Sequence, residues 1–133
     1  MIYALDSNII SYMLKDNNAV YSRYYAALKR DCLCVLPLIV YYEVRRGLLA
    51  NNATMQTRSF EELCKSIEIL NLTIADMNKA SEIYALRKKL GKPMFDNDLL
   101  IAAQTVTRGY TLVTHNVQHF DGIEKLQIED WAV

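Results

Sequence analysis

Ile2-Tyr3-Ala4-Leu5-Asp6-Ser7-Asn8-Ile9-Ile10 opens the chain with four apolar residues, a polar triplet and the start of a second apolar pattern. Four apolar residues that end in turn chemistry fit a short strand buried on both faces, as in a parallel sheet. Ser7 and Asn8 suit a helix start, because their side chains can accept from free backbone N–H groups. Asp6 then ends a central strand, at the carboxyl edge where open α/β sheets keep their sites.

The pattern continues outward from that strand. Ile9, Ile10, Met13 and Leu14 give a short helix, and Tyr21, Tyr24, Tyr25 and Leu28 a second one with an aromatic buried face. Cys32 to Leu36 is a second strand, closed by Pro37 as the first residue of a helix that carries Val40, Val44 and Leu48 on one stripe. Phe60, Leu63 and Cys64 mark another helix, leading to a strand at Ile67 to Leu70. Thr73 and Asp76 form a capping-box pattern opening a long helix with Met77, Ala80, Ile83, Tyr84, Leu86 and Leu90 inward. Leu99, Ala102, Ala103 and Val106 give a small-residue helix ended by Gly109, followed by strands at Tyr110 to Val113 and Leu126 to Ile128. Strands alternating with helices predict a three-layer α/β/α sandwich around a mostly parallel sheet of four to five strands.

The chain has 133 residues and 52% hydrophobic content, which fits one packed domain over residues 1–133. Fifteen basic residues balance fifteen acidic ones, so no global basic field marks a nucleic-acid binder. Cys32, Cys34 and Cys64 form no C-x-x-C pair, which argues against a zinc site or disulfide frame and for a reducing cytoplasm. No signal-like or membrane-spanning run is expected.

Three acids resist a purely surface explanation. Asp6 ends a buried strand, Glu43 lies in the apolar stretch Leu38 to Val44, and Asp98 lies in the first turn of the small-residue helix. Asn116 follows the strand Tyr110 to Val113 and reaches the same edge if the two strands are neighbours. Three carboxylates pressed together repel unless a cation lies between them, and oxygen-only ligands select Mg²⁺ or Mn²⁺. Each residue also has a plainer explanation. Asp6 could cap the first helix, Asp98 could answer the helix dipole, Glu43 could pair with Arg46, and Asn116 could be a turn residue. Gly47, one turn beyond Glu43, leaves space there that a helix interior would not otherwise choose.

The ordered set Leu5-Asp6-Ser7-Asn8-Ile9-Ile10, Tyr42-Glu43-Val44-Arg45-Arg46-Gly47 and Asn97-Asp98-Leu99-Leu100-Ile101-Ala102-Ala103 resembles PIN domains. With Leu112-Val113-Thr114-His115-Asn116-Val117-Gln118-His119-Phe120 and the closing Glu129-Asp130-Trp131, it is similar to the VapC-type toxins of bacterial toxin–antitoxin pairs. The resemblance implies a Mg²⁺- or Mn²⁺-dependent endoribonuclease with Asp6, Glu43 and Asp98 as metal-binding acids. It puts Asn116 at a position that is Asp or Asn, Ser7 at the helix-start hydroxyl, and Asp96 near an auxiliary role. It further implies a homodimer and a cognate VapB-type antitoxin that blocks the groove and alone reads operator DNA. The substrate it favours is initiator tRNA, cut in the anticodon loop. Arg45, Arg46, Arg87, Lys88, Lys89 and Lys92 are the candidate RNA contacts, with Tyr41 and Tyr42 as possible stacking partners. His115 and His119 lack zinc spacing. Two alternatives share the motifs: a nuclease for DNA or another RNA, and a non-catalytic PIN module that only binds.

Overall fold

The computed structural model describes residues 1–133. Its sheet begins with β1 (Ile2–Leu5), which is followed by α1 (Ser7–Leu14) and α2 (Asn18–Lys29). Then come β2 (Leu33–Pro37), α3 (Leu38–Ala50), α4 (Thr54–Ser66) and β3 (Glu68–Leu70). The second half contains α5 (Ile74–Lys89), α6 (Asp96–Arg108), β4 (Thr111–Val113), α7 (Val117–Phe120) and β5 (Gln127–Glu129). The five strands run in the order β3-β2-β1-β4-β5, and every pairing is parallel. This is the expected α/β/α sandwich with a parallel sheet.

Strand order decides where the site falls. The chain winds from β1 outward through β2 and β3, then returns to the other side of β1 for β4 and β5. The winding therefore reverses between β1 and β4, and a crevice opens there at the carboxyl ends of the strands. Leu5 pairs with Val113, and the Asp6 N–H donates to the Val113 carbonyl at 2.9 Å, extending the ladder by one step. Asp6 and Thr114 thus leave the sheet side by side at the reversal. Beneath them Ala4, Leu5, Leu36, Leu112 and Val113 are fully buried. Ala102 and Ala103 of α6 are fully buried too, and their small side chains suit close packing on the sheet.

Several sequence expectations shift. Pro37 is the last residue of β2 and the N-cap of α3, not its first helical residue; its ψ of 143° is extended. The α2 core face is Val20, Tyr24 and Ala27, while Tyr25 and Leu28 are exposed. They help line a groove of about 370 Å³ between α2 and α4. In α5 only Asp76, Ala80 and Ile83 are buried, and Met77, Tyr84, Leu86 and the C-cap residue Leu90 are exposed. Helix α5 packs chiefly on α6, so its apolar pattern is wider than the face that the chain itself covers. Helix α7 has no counterpart in the sequence reading. Its single turn is too short to show a period.

The Thr73–Asp76 capping box is present in both directions, and Asp76 does more than cap. Its carboxylate is fully buried and accepts from Arg108 Nη1 at 2.8 Å, Arg108 Nη2 at 3.1 Å and the Thr107 hydroxyl at 2.7 Å. Burial by itself would raise this carboxyl. The hydrogen bonds from Arg108, Thr107 and Thr73 outweigh it and hold the group at about 2. A depressed folded-state value adds stability above the unfolded value near 3.8, and that stability is lost as pH falls toward 2. Asp76→Asn should therefore cost about 2 kcal/mol at neutral pH. In urea melts at a series of pH values, the gap to the parent protein should close between about pH 4 and pH 2. A gap that persists at the acid end would mean that the loss comes from packing instead of charge.

Candidate functional site

Asp6 is the N-cap of α1, and its Oδ1 accepts the Ser7 N–H at 2.7 Å. Its other oxygen accepts the Thr114 hydroxyl at 2.7 Å. The capping explanation for Asp6 is thus correct as geometry, but incomplete. Only 3% of the residue is exposed, and no cation pairs with it. Burial lifts its carboxyl to about 6 against the two hydrogen bonds, and the charges of Glu43 and Asp98 push in the same direction. Glu43 on α3 and Asp98 on α6 are thus near enough for their charges to act on Asp6 at the end of β1.

Thr114 organises the sheet edge around Asp6. While its hydroxyl donates to Asp6, it accepts the Asn116 N–H at 3.0 Å. The Asn8 side-chain carbonyl accepts the His115 N–H at 3.0 Å, tying α1 to the same loop. His115 Nδ1 lies 3.0 Å from Asp130, and its ring meets Tyr12 edge-on, so the loop is also braced from the chain's end. Asn116 itself is exposed and its side chain makes no capping bond.

Glu43 Oε2 accepts from the Asn97 amide at 3.1 Å, which bridges α3 to α6. Its other oxygen, Oε1, is buried without a hydrogen-bond partner. Arg46 does not neutralise it: that guanidinium lies 4.9 Å from the centre of the Tyr42 ring. The simple helical ion pair weighed from sequence is absent. Asp98 is half-buried, with His119 Nδ1 3.6 Å from its carboxylate. Burial raises its carboxyl above the usual range, and His119 pulls the other way.

A cleft of about 340 Å³ runs from this edge between α1 and α3, with Ser7, Glu43 and Asn116 on its walls. No three of the chain's His, Cys, Asp or Glu side chains stand together as a finished metal-ligand set. Glu43 faces Asn97, and Asp98 faces His119. The donor chemistry still fits a hard divalent cation. The atoms available are carboxylate oxygens, one of them buried and unpartnered, in a field that already disfavours their negative charge.

The predicted RNA contacts lie apart from this cleft. Arg45, Arg46, Arg87, Lys88, Lys89 and Lys92 are all missing from its lining. Arg87 donates from Nε to the Lys92 carbonyl and from Nη1 to the Asp121 carbonyl, both at 2.9 Å. That side chain fastens a loop and borders a separate cavity of about 230 Å³. Thr114 and Asn97 were missed as site residues. Each does its work by contacting a residue distant in sequence, and no local pattern reveals that.

The site and sheet together define a class of fold, and comparison with known proteins identifies it. The PIN domain profile matches residues 3–126, and the chain belongs to that family. It is a VapC-type member. It is 30% identical to ribonuclease VapC1 of Haemophilus influenzae (strain R2866), with 99% of both chains covered. It is 25% identical to the tRNA(fMet)-specific endonuclease VapC of Shigella flexneri, with 98% of both covered. A crystal structure of VapBC2 from Rickettsia felis, bound to a DNA fragment from their promoter, superposes with a TM-score of 0.90 at 27% identity. That match covers 98% of this chain and 99% of the other.

Thr114→Val keeps the shape and removes the hydroxyl that both Asp6 and Asn116 use. It should cost about 1–3 kcal/mol at neutral pH, because Asp6 then stays buried with one oxygen unbonded. Chemical denaturation measures the loss; an unchanged midpoint would mean that water replaces the hydroxyl and the site is wetter than its burial implies.

Proposed function

We propose that this protein is a Mg²⁺- or Mn²⁺-dependent endoribonuclease and the toxin of a VapBC-type toxin–antitoxin module. One observation supports the reading: Glu43 keeps a buried oxygen without a partner, and its charge and that of Asp98 act on the buried Asp6 at the sheet's reversal point. A structural role would favour pairing or replacing such groups, because unpaired buried charge is destabilising.

Asp6, Glu43 and Asp98 would hold the cation, which would supply Lewis acidity and a water of lowered pKa for phosphodiester hydrolysis. The chain's own contribution is orientation. Thr114 and the Ser7 N–H fix both oxygens of Asp6, and Asn97 fixes one oxygen of Glu43. Asn116 offers an exposed amide at the mouth of the cleft for a substrate hydrogen bond. Ser7 lines the same mouth with its hydroxyl.

The favoured substrate is initiator tRNA, cut in the anticodon loop so that translation stops; support comes from the relatives named for tRNA(fMet). A VapB-type antitoxin fits as the neutralising partner, since the R. felis relative was solved as a VapBC complex. Operator DNA would be met only through that antitoxin. The uncovered apolar face of α5, with Met77, Tyr84 and Leu86, fits a homodimer. The reading sets this activity in the cytoplasm, and no helix here is long and apolar enough to cross a membrane.

The test incubates antitoxin-free protein with total bacterial RNA, with Mg²⁺ or Mn²⁺ and with EDTA, beside an Asp98→Asn preparation. Discrete metal-dependent fragments are expected from the parent alone, with the mutant slower by at least about a hundredfold. Mapping their ends names the RNA. Equal fragmentation by a folded Asp98→Asn protein would remove Asp98 from the site, and no fragments from either would favour a different substrate or a module that only binds. Glu43→Gln should weaken Mg²⁺ binding in a calorimetric titration, since it removes one negative ligand; an unchanged titration curve would assign Glu43 to the Asn97 bridge alone.

A further inference from the structure

The cleft beside the acids is walled by two helical stripes that share one spacing. Ser7, Ser11 and Lys15 recur every four residues along α1 and its C-cap, and Glu43, Gly47 and Asn51 do the same along α3 and its C-cap. Residues spaced this way lie one above another on a single helix face. Both stripes start at the edge where Glu43 stands and run away from it, and the wall between mixes the polar Asn8 and Gln56 with the apolar Val44, Leu48 and Ala53.

Two of these residues have no role inside the folded chain. Lys15 is exposed, forms no ion pair, and is the one cation on the cleft wall. Gly47 sits mid-helix without the positive φ that would require glycine. A Cβ built there would meet nothing within 4 Å. Glycine within a helix is destabilising relative to alanine, and neither packing nor backbone shape accounts for it at this position. What it preserves is a smooth floor directly between Glu43 and Asn51.

We propose that this cleft is the track for the RNA strand leading away from the cut. Lys15 binds a backbone phosphate, and Gly47 lets the strand lie against α3. This inference rests on the nuclease reading and adds the path of the strand to it. At 1.5 Å per helical residue, Lys15 lies about 12 Å along α1 from Ser7, so it holds a phosphate other than the one cleaved. A single cation here also offsets the repulsion between RNA and the acidic edge without drawing a phosphate onto the acids themselves. Polar neighbours such as Ser11 and Asn51 can bond sugar or base edges on the way.

The test uses the full chain with Asp98→Asn, which should bind RNA without cutting it, and a short labelled single-stranded RNA of mixed sequence as probe. Affinity is read by fluorescence anisotropy over a salt series. Lys15→Ala should weaken binding several-fold and reduce the slope of log K against log salt by about 0.7, the share of one phosphate contact on a single strand. Lys15→Arg should restore both. Gly47→Leu should weaken binding with the salt slope unchanged, while Gly47→Ala raises the thermal midpoint and shows that the helix accepts a side chain.

An unchanged slope in Lys15→Ala overturns the phosphate contact, and parent-like affinity in a folded Gly47→Leu overturns the track. A Lys15→Ala defect confined to binding an antitoxin peptide would assign the cleft to protein instead. If the Lys15-bearing protein binds no RNA at all, the nuclease reading falls with the track; if it binds and both variants match it, the track falls alone.

Discussion

Asp6 is a carboxylate held almost out of water by a hydroxyl and one backbone N–H, with no cation beside it. The surrounding structure makes that arrangement possible. The β1–β4 register brings Thr114 level with it, and the reversal of winding between those strands leaves room above it for Glu43 and Asp98 to act on its charge. A slip of one residue between β1 and β4 would turn Thr114 to the opposite face and leave Asp6 without its side-chain donor. The fully buried apolar strands therefore have a functional task as well as a stabilising one: their packing fixes the register.

Asp76 shows what the same residue becomes with a different neighbour. Both aspartates are buried and both cap a helix, yet one carboxyl is raised to about 6 and the other lowered to about 2. The difference is Arg108, which meets Asp76 with two nitrogens, whereas the charges nearest Asp6 have its own sign. Asp76 clamps α5 to α6 and is complete within the chain. Asp6 has both oxygens hydrogen-bonded but no opposite charge beside them, and the buried Glu43 Oε1 has no partner at all.

How much was legible in the sequence depended on whether the signal was local. The strand before Asp6, the capping box at Thr73, and the small-residue face of α6 are all written in adjacent residues, and all appear in the fold. Glu43 stood out because its neighbours are apolar. Its holder Asn97 did not, lying 54 positions away with nothing to link the two. The inner faces of α2 and α5 were read too broadly for a related reason: period shows that a face is apolar, not that this chain covers it. Tyr25, Leu28 and Tyr84 carry the pattern and remain in solvent.

Clustered charge is the kind that sequence shows most readily. Arg87, Lys88 and Lys89 attract notice because they are adjacent, yet none of them reaches the cleft, and Arg87 is committed to the carbonyls of Lys92 and Asp121. Lys15 is a single residue before a polar loop and looks unremarkable. Its importance comes from isolation: on a cleft wall whose one acid is Glu43, an unpaired cation changes the local field more than a third lysine on a solvated helix end, where water and salt screen it. A cleft with Glu43 at one end and a lone cation at the other is polarised along its length. A strand carrying evenly spaced negative charges can then be gripped at a distance from the acids, so that most of its attraction to the protein is kept away from the bond to be cut.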